Sequence, residues 1–341
     1  MLTKTSFEGG LKMKKAIATL LLTTLVILGF SLDLSSALKS ALLKAPDYEL
    51  AKLNLEKAEL DYRKGTIEAT NRKMELSAEQ TYYTGVQSYR NSLKSIYSDL
   101  LNRIFNLLSS KISLEIAQIN LENARENLET YKTLRAKGLV SDKELKEAEI
   151  SLREAENNLV TARRNSEKAE RDYRELFDVP VEQITFNLPD PAKIVTKEEY
   201  LENFVSIKIA ELKLKIAEYD KETLPANASD YERKAAELNY KSASLDYENT
   251  KKTAEDSVND ALVNLNLLYR NVLIAQDKLN LYEEDFRNTQ EKYRKGLISK
   301  KEYNSQRVSL LNARKSYYEA LKSYYTSVIN LLVDSGKDVT F

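Results

Sequence analysis

The sequence has no cysteine and no histidine in 341 residues. Disulfide frameworks, thiolate and imidazole metal sites, and every nucleophilic triad built on a histidine base are therefore excluded. Glycine occurs eight times and proline five, too few for a fold of strands and tight turns, and tryptophan is missing. Neither sign of charge prevails: 52 Lys and Arg face 52 Asp and Glu, so no basic excess points to nucleic acid. No glycine-rich phosphate loop is present to hold a nucleotide. Carboxylates are the main catalytic groups left, and nothing in the pattern gathers them in a pocket. The composition reads as a non-enzyme, with no catalytic residue, no metal and no cofactor.

What is abundant is Ala, Leu, Glu, Lys and Asn, in a chain that is 30% charged. Such a balance favours long uninterrupted helices and an elongated, all-α coiled-coil shape with little or no β-structure. At the amino end, Lys14 and Lys15 precede an apolar run from Ala16 to Phe30. That run has the length of a signal-peptide core and falls short of the roughly 20 residues that span a bilayer. We read residues 1–31 as a secretory signal, with small Gly29 and Ser31 before the cleavage point; an uncleaved anchor helix is the alternative. Glu8-Gly9-Gly10 looks like a translated ribosome-binding site, which would make Met13 the true start. Losing residues 1–31 removes four Lys and one Glu, so the exported chain is mildly acidic.

The clearest signal is an internal repeat. KGLVSDKEL (Lys137 to Leu145) returns as KGLISKKEY (Lys295 to Tyr303), and Ala117, Leu121, Ser151, Leu152 and Ala155 fall on Ala275, Leu279, Ser309, Leu310 and Ala313 at the same shift. The reading is a tandem duplication: residues 32–177 form the first hairpin repeat, 178–197 connect, and 198–341 form the second. Within each copy apolar residues alternate at spacings of three and four, as in Leu145, Ala148, Leu152, Ala155 and Leu159, the seam of antiparallel packed helices. A second stripe through Leu311, Tyr318, Leu321, Tyr325, Val328 and Leu332 gives the last helix two neighbours.

Gly138 and Gly296 mark the tips. Each follows a Lys and precedes Leu, a β-branched residue and Ser, so that Gly ends one helix in a left-handed turn and Ser141 or Ser299 caps the next, with Glu144 or Glu302 three residues on. The pattern predicts long helices over Glu75–Ala136 and Tyr231–Arg294. It predicts shorter ones over Asp142–Phe177 and Lys300–Asp334, with amphipathic segments Leu34–Lys64 and Lys197–Lys221 completing the length. Asp178 to Pro191 reads as a surface connection with one short strand.

A duplicated Y-x-x-G-L-x-S-x-x-E unit followed by L-x-x-A-x-x-x-Y spacing resembles the TolC-like outer-membrane efflux protein family. Tyr293 to Gly336 looks like that family's closing hairpin almost position for position, and RELFDVP with the following LPDP looks like its mid-chain junction; Arg135 stands where the first tip would carry tyrosine. The resemblance implies a homotrimer whose helices form a hollow periplasmic cylinder, exported and outer-membrane associated. It also implies a membrane-fusion adaptor and an inner-membrane transporter as partners, and Gly138, Leu139, Val140, Ser141, Gly296, Leu297, Ile298 and Ser299 as the adaptor-docking tips. It further implies a strand pair in each copy, which at about 9–11 residues per membrane strand takes roughly 40 residues plus turns. Thr66–Met74 and Thr223–Asp230 have no room for them, and Thr81–Val86 reads as helix, with a remnant strand as the alternative.

Several residues carry two readings. Leu139-Val140 and Leu297-Ile298 are either plain turn residues or exposed aliphatics for docking. Glu144 and Glu147, with Glu302, either cap helices or form an aperture ring that selects cations in a trimer. The tyrosines from Tyr303 to Tyr325 either fill the bundle or grip an adjacent chain. The function expected is a tripartite efflux or secretion conduit that docks on an adaptor; the alternative is a periplasmic spacer or tether without a channel.

Overall fold

The computed structural model describes residues 32–341. The signal segment, its cleavage after Ser31 and the start at Met13 lie outside the described residues. Within them the fold is all-α. Eight helices run in the order α1 (Leu34–Leu42), α2 (Pro46–Glu68), α3 (Arg72–Ala136), α4 (Asp142–Arg174), α5 (Lys197–Asn203), α6 (Val205–Glu222), α7 (Asp230–Arg294) and α8 (Lys300–Asp334). The strands among the described residues are β1 (Leu32–Asp33) and β2 (Ile184–Thr185), paired in parallel with Leu32 opposite Ile184.

The two long helices, α3 and α7, have 65 residues each, about 98 Å at 1.5 Å per residue. Side-chain caps start both: Asn71 accepts from the Met74 amide, and Ser229 forms a full capping box with Glu232. Each long helix is flanked by two short ones stacked end to end, α2 and α4 on α3, α6 and α8 on α7. Both halves thus repeat one succession of lengths. Thr81–Val86 is helical, and Tyr82 stacks on Tyr62 across α2 and α3 at 5.4 Å.

Two single helices expected from amphipathicity are in fact broken. Leu34–Lys64 divides at Leu43–Ala45, because Pro46 has no amide to continue a helix and holds Ala45 extended (ψ 120°). Lys197–Lys221 divides at Phe204 (ψ 105°), whose ring stacks on Tyr200. Arg90 stabilises that break by donating to the carbonyls of Asn203 and Asp334, 2.7 Å each, and so ties α5 to the end of α8.

Side by side the helices make one layer four columns wide: α2 and α4, then α3, then α6 and α8, then α7. The direction alternates from column to column. Three residues, Ala69–Asn71, join α2 to α3, and seven, Thr223–Ser229, join α6 to α7, so this end of the layer is blunt. The tips at Gly138 and Gly296 lie at the other end.

At mid-height one face of the layer carries a belt. Helix α1, the connecting segment, β1 and β2, α5 and the carboxyl tail pack on α3 between Ile96 and Leu108 and on α8 between Leu321 and Val333, and this is the main hydrophobic core. The Tyr-rich face divides accordingly. Tyr324 and Tyr325 are fully buried inside their own chain, and their hydroxyls donate to the carbonyls of Pro189 (2.5 Å) and Asn187 (2.7 Å) in the connection. Tyr317 and Tyr318 are half-buried.

Candidate functional site

Both tips are the same backbone device. Gly138 and Gly296 adopt φ of 72° and 71°, the left-handed region that favours glycine. Their amides bond to the carbonyls of Arg135 and Tyr293, and the next amides, of Leu139 and Leu297, reach back to Leu134 and Lys292, the paired bonds of a Schellman turn. Ser141 and Ser299 then cap α4 and α8 by accepting from the amides of Glu144 (3.2 Å) and Glu302 (3.1 Å).

Different chemistry closes the two tips. In the first, Arg135 donates to Asp142 at 2.6 Å; in the second, Tyr293 stacks on Tyr303 at 4.8 Å. The expectation of two exposed aliphatics per tip holds for one of each pair. Leu139 and Leu297 are 68% and 70% exposed, whereas Val140 and Ile298 are half-buried. The latter stand just before the capping serine, where an apolar residue staples onto the fourth helical residue, here the half-buried Leu145 or Tyr303.

Of the carboxylates, Glu144 is committed to its cap: its oxygen accepts from the Ser141 amide and hydroxyl, both at 2.7 Å, which lowers its pKa. Glu147 sits 3.8 Å from Lys143, and Glu302 is exposed.

A cross-link between the two hairpins escaped the sequence reading. Lys300 contacts Glu122 and Glu126, 2.6 Å each, Arg307 holds Glu115 at 2.6 Å, and the buried Asn304 donates to Asn123 at 2.7 Å. The Lys300 bond lowers the pKa of Glu122 and raises that of Lys300 itself. The available signal was a shared heptad: Glu115 and Glu122 on α3 oppose Arg307 and Lys300 on α8, each pair seven residues apart.

Among the described residues the layer has two lateral edges without a neighbour, α2 and α4 on one side and α7 on the other. Among the described residues, every large apolar side chain left exposed on a helix belongs to these three helices, Met74 excepted. Between α3 and α4 runs an open groove of about 780 Å³ whose lining includes Asn102, Asn106, Ser109, Ser113, Asn158 and Asn165 and the charged Asp99, Arg103, Lys168 and Asp172. Residues 102, 106 and 109 lie two positions from core residues Leu100, Ile104 and Leu107, about 200° around the helix, so the groove faces away from the belt.

Residues 227–336 match the model of the outer membrane efflux protein family. No curated protein matches the chain. Among solved structures it is similar to the Campylobacter jejuni CmeC outer membrane channel, with 17% identity over 89% of this chain and 86% of that one and a TM-score of 0.56. The open state of the Neisseria gonorrhoeae MtrE outer membrane channel gives 16%, 90% of this chain, 89% of that one and 0.56. The Vibrio cholerae outer membrane protein VceC gives 12%, 89%, 96% and 0.53. At these identities the likeness concerns the fold. The chain resembles the TolC-like outer-membrane efflux proteins, in sequence over its second hairpin and in fold over most of its length.

Proposed function

We propose that this chain is the helical conduit of an outer-membrane-associated efflux system, three copies standing side by side around a lumen in the periplasm. One observation carries the reading: among the described residues, a single open layer whose two lateral edges have no neighbour and carry exposed large apolar side chains. Its edges are unlike, so contact between copies is heterologous, and such contacts close into rings when the rotation allows. Three copies of a four-column layer make a twelve-column cylinder. The polar and charged groove on the face away from the belt suits a water-filled wall.

The two halves act as copies of one hairpin, 32–177 and 198–341, joined by 178–197. Gly138, Leu139, Val140, Ser141 and Gly296, Leu297, Ile298, Ser299 form the tips that dock on a membrane-fusion adaptor, with Leu139 and Leu297 as the contact side chains. Glu147 and Glu302 are the carboxylates available to an aperture ring. Energy comes from an inner-membrane transporter, since the conduit conducts passively. The test is the solution mass of the exported chain together with electron micrographs. A trimer with a central hole is expected; a stable monomer or a filled rod overturns the conduit in favour of a spacer.

A further inference from the structure

We infer that the surface joining the copies in the blunt half of the cylinder is a three-rung antiparallel seam between α2 of one chain and α7 of a second copy, pairing Ile67 with Tyr231, Leu60 with Leu238 and Leu53 with Leu245. The inference rests on the ring reading and adds which side chains close it.

Leu53, Leu60 and Ile67 are spaced by sevens along α2, and Tyr231, Leu238 and Leu245 by sevens along α7, so each set forms one stripe. All six are exposed, and Ile67 (85%) and Tyr231 (81%) are the most exposed large apolar side chains among the described residues. The stripes face outward. Gly65 and Gly85 bring α2 against α3 at Ala78 and Ala58, and Ile67 and Leu60 lie two positions from Gly65 and Ala58, on the opposite side of α2. On α7, Lys221 of α6 stands 4.6 Å from the Tyr240 ring, and Leu238 lies two positions away on the far side.

Direction and ends fix the register. Helix α2 runs toward the blunt end and α7 runs from it, so the edges of adjacent copies continue the alternation of the layer. Ile67 is one residue before the last of α2, and Tyr231 is one residue after the first of α7, so pairing them sets both helix ends flush. A slip of one heptad in one direction places Leu53 opposite Lys252 and leaves Tyr231 without a rung, and in the other leaves Ile67 without a rung and places Leu245 opposite Pro46.

The occupant is a second copy rather than a foreign partner because the rest of the same edge is built to match. Val160 on α4 lies 18 residues after Asp142, and Ile274 on α7 lies 20 before Arg294, both exposed and roughly 30 Å above the tips. The 23 residues of α2 and 33 of α4 give an edge about 84 Å long, which at a helix width of about 10 Å covers roughly 850 Å². A standard specific interface buries about 800 Å² on each partner. The seam reaches the last turn of α2 and the first turn of α7, so the ring closes at its blunt end with helices alone.

The natural absence of cysteine makes disulfide trapping clean. The exported chain carrying Leu60→Cys and Leu238→Cys should yield covalent dimers and trimers on mild oxidation, since facing residues fall within the 4.4–6.8 Å Cα separation a disulfide needs. Leu60→Cys with Tyr231→Cys, one heptad out of register, should give at least tenfold less. Within one chain these positions are separated by two helical columns, so any bond reports a neighbour. Leu238→Asp should leave helicity unchanged and raise the dissociation constant at least tenfold. Equal trapping of both pairs, or none in a chain that light scattering shows assembled, overturns the seam alone. A chain that stays single at all concentrations overturns the ring and the seam together.

Discussion

The hydroxyl of Tyr325 donates to the backbone carbonyl of Asn187 at 2.7 Å, from a ring that is fully buried in α8. The neighbouring Tyr324 does the same for Pro189, so two consecutive phenols hold down the connection between the hairpins. Tyr325→Phe keeps the ring and strands the carbonyl, which costs about 1–3 kcal/mol. Thermal melts should show the loss, and an unchanged midpoint for the double change to Phe would refute the role given to these hydroxyls.

Burial of phenols also makes the fold sensitive to alkali. Desolvation pushes Tyr89, Tyr97 and Tyr200 up to about 12 from an ordinary value of 10, and raises Tyr173, Tyr324 and Tyr325 further. Above pH 10 the unfolded chain releases phenolic protons that the folded chain retains, so unfolding is favoured as pH rises. Denaturation midpoints should be flat up to about pH 10 and fall between about pH 10 and 12. The phenolate absorbance of the native protein should lag that of the unfolded one over the same range.

What the sequence displays is local. Gly138 and Gly296 show their turns because a left-handed residue, a Lys before it and a capping Ser after it are neighbours in the chain. The span of α8, Lys300–Asp334, is legible for the same reason: its cap and its heptads are contiguous. The break at Phe204 depends on Arg90, more than a hundred residues earlier, and the anchoring of the connection depends on tyrosines in the last helix. Amphipathic periodicity continues through Phe204 and cannot register that break, whereas the one at Leu43–Ala45 is written locally in Pro46. The Glu115, Glu122, Lys300 and Arg307 ladder looks, in sequence, like the solvated charge of any long helix. Which of two tip aliphatics projects was likewise set by the geometry of the staple, not by residue type.

Close approach of α2 and α3 rests on reciprocal small residues. A methyl built on Gly85 would stand 2.6 Å from Cβ of Ala58, and one on Gly65 would stand 2.7 Å from Cβ of Ala78. Gly85→Ala gains about 1 kcal/mol of helix propensity but overpacks a contact at a cost of about 1–3 kcal/mol, so a net loss of stability is expected. Adding Ala58→Gly reopens the space. Melting of the single and double variants checks the pairing: coupling between them is expected, and independent effects would show that the helices yield at no cost.

Three leucines at equivalent or adjacent points of the hairpins separate burial from docking. Leu310 is buried on α8, Leu152, 158 residues earlier in the chain, is half-buried on edge helix α4, and Leu297 projects from the second tip. Leu310→Asp forfeits about 1.5–3 kcal/mol of burial and adds the penalty of an unpaired carboxylate, so the melting temperature should drop steeply. Leu152→Asp should cost less, because its side chain already meets solvent in the single chain. Leu297→Asp should leave the melt unchanged and weaken capture of a membrane-fusion adaptor. If Leu310→Asp melts like the parent, burial at Leu310 does not hold α8 in its hairpin; if Leu297→Asp retains full adaptor capture, the projecting leucine is not the docking contact.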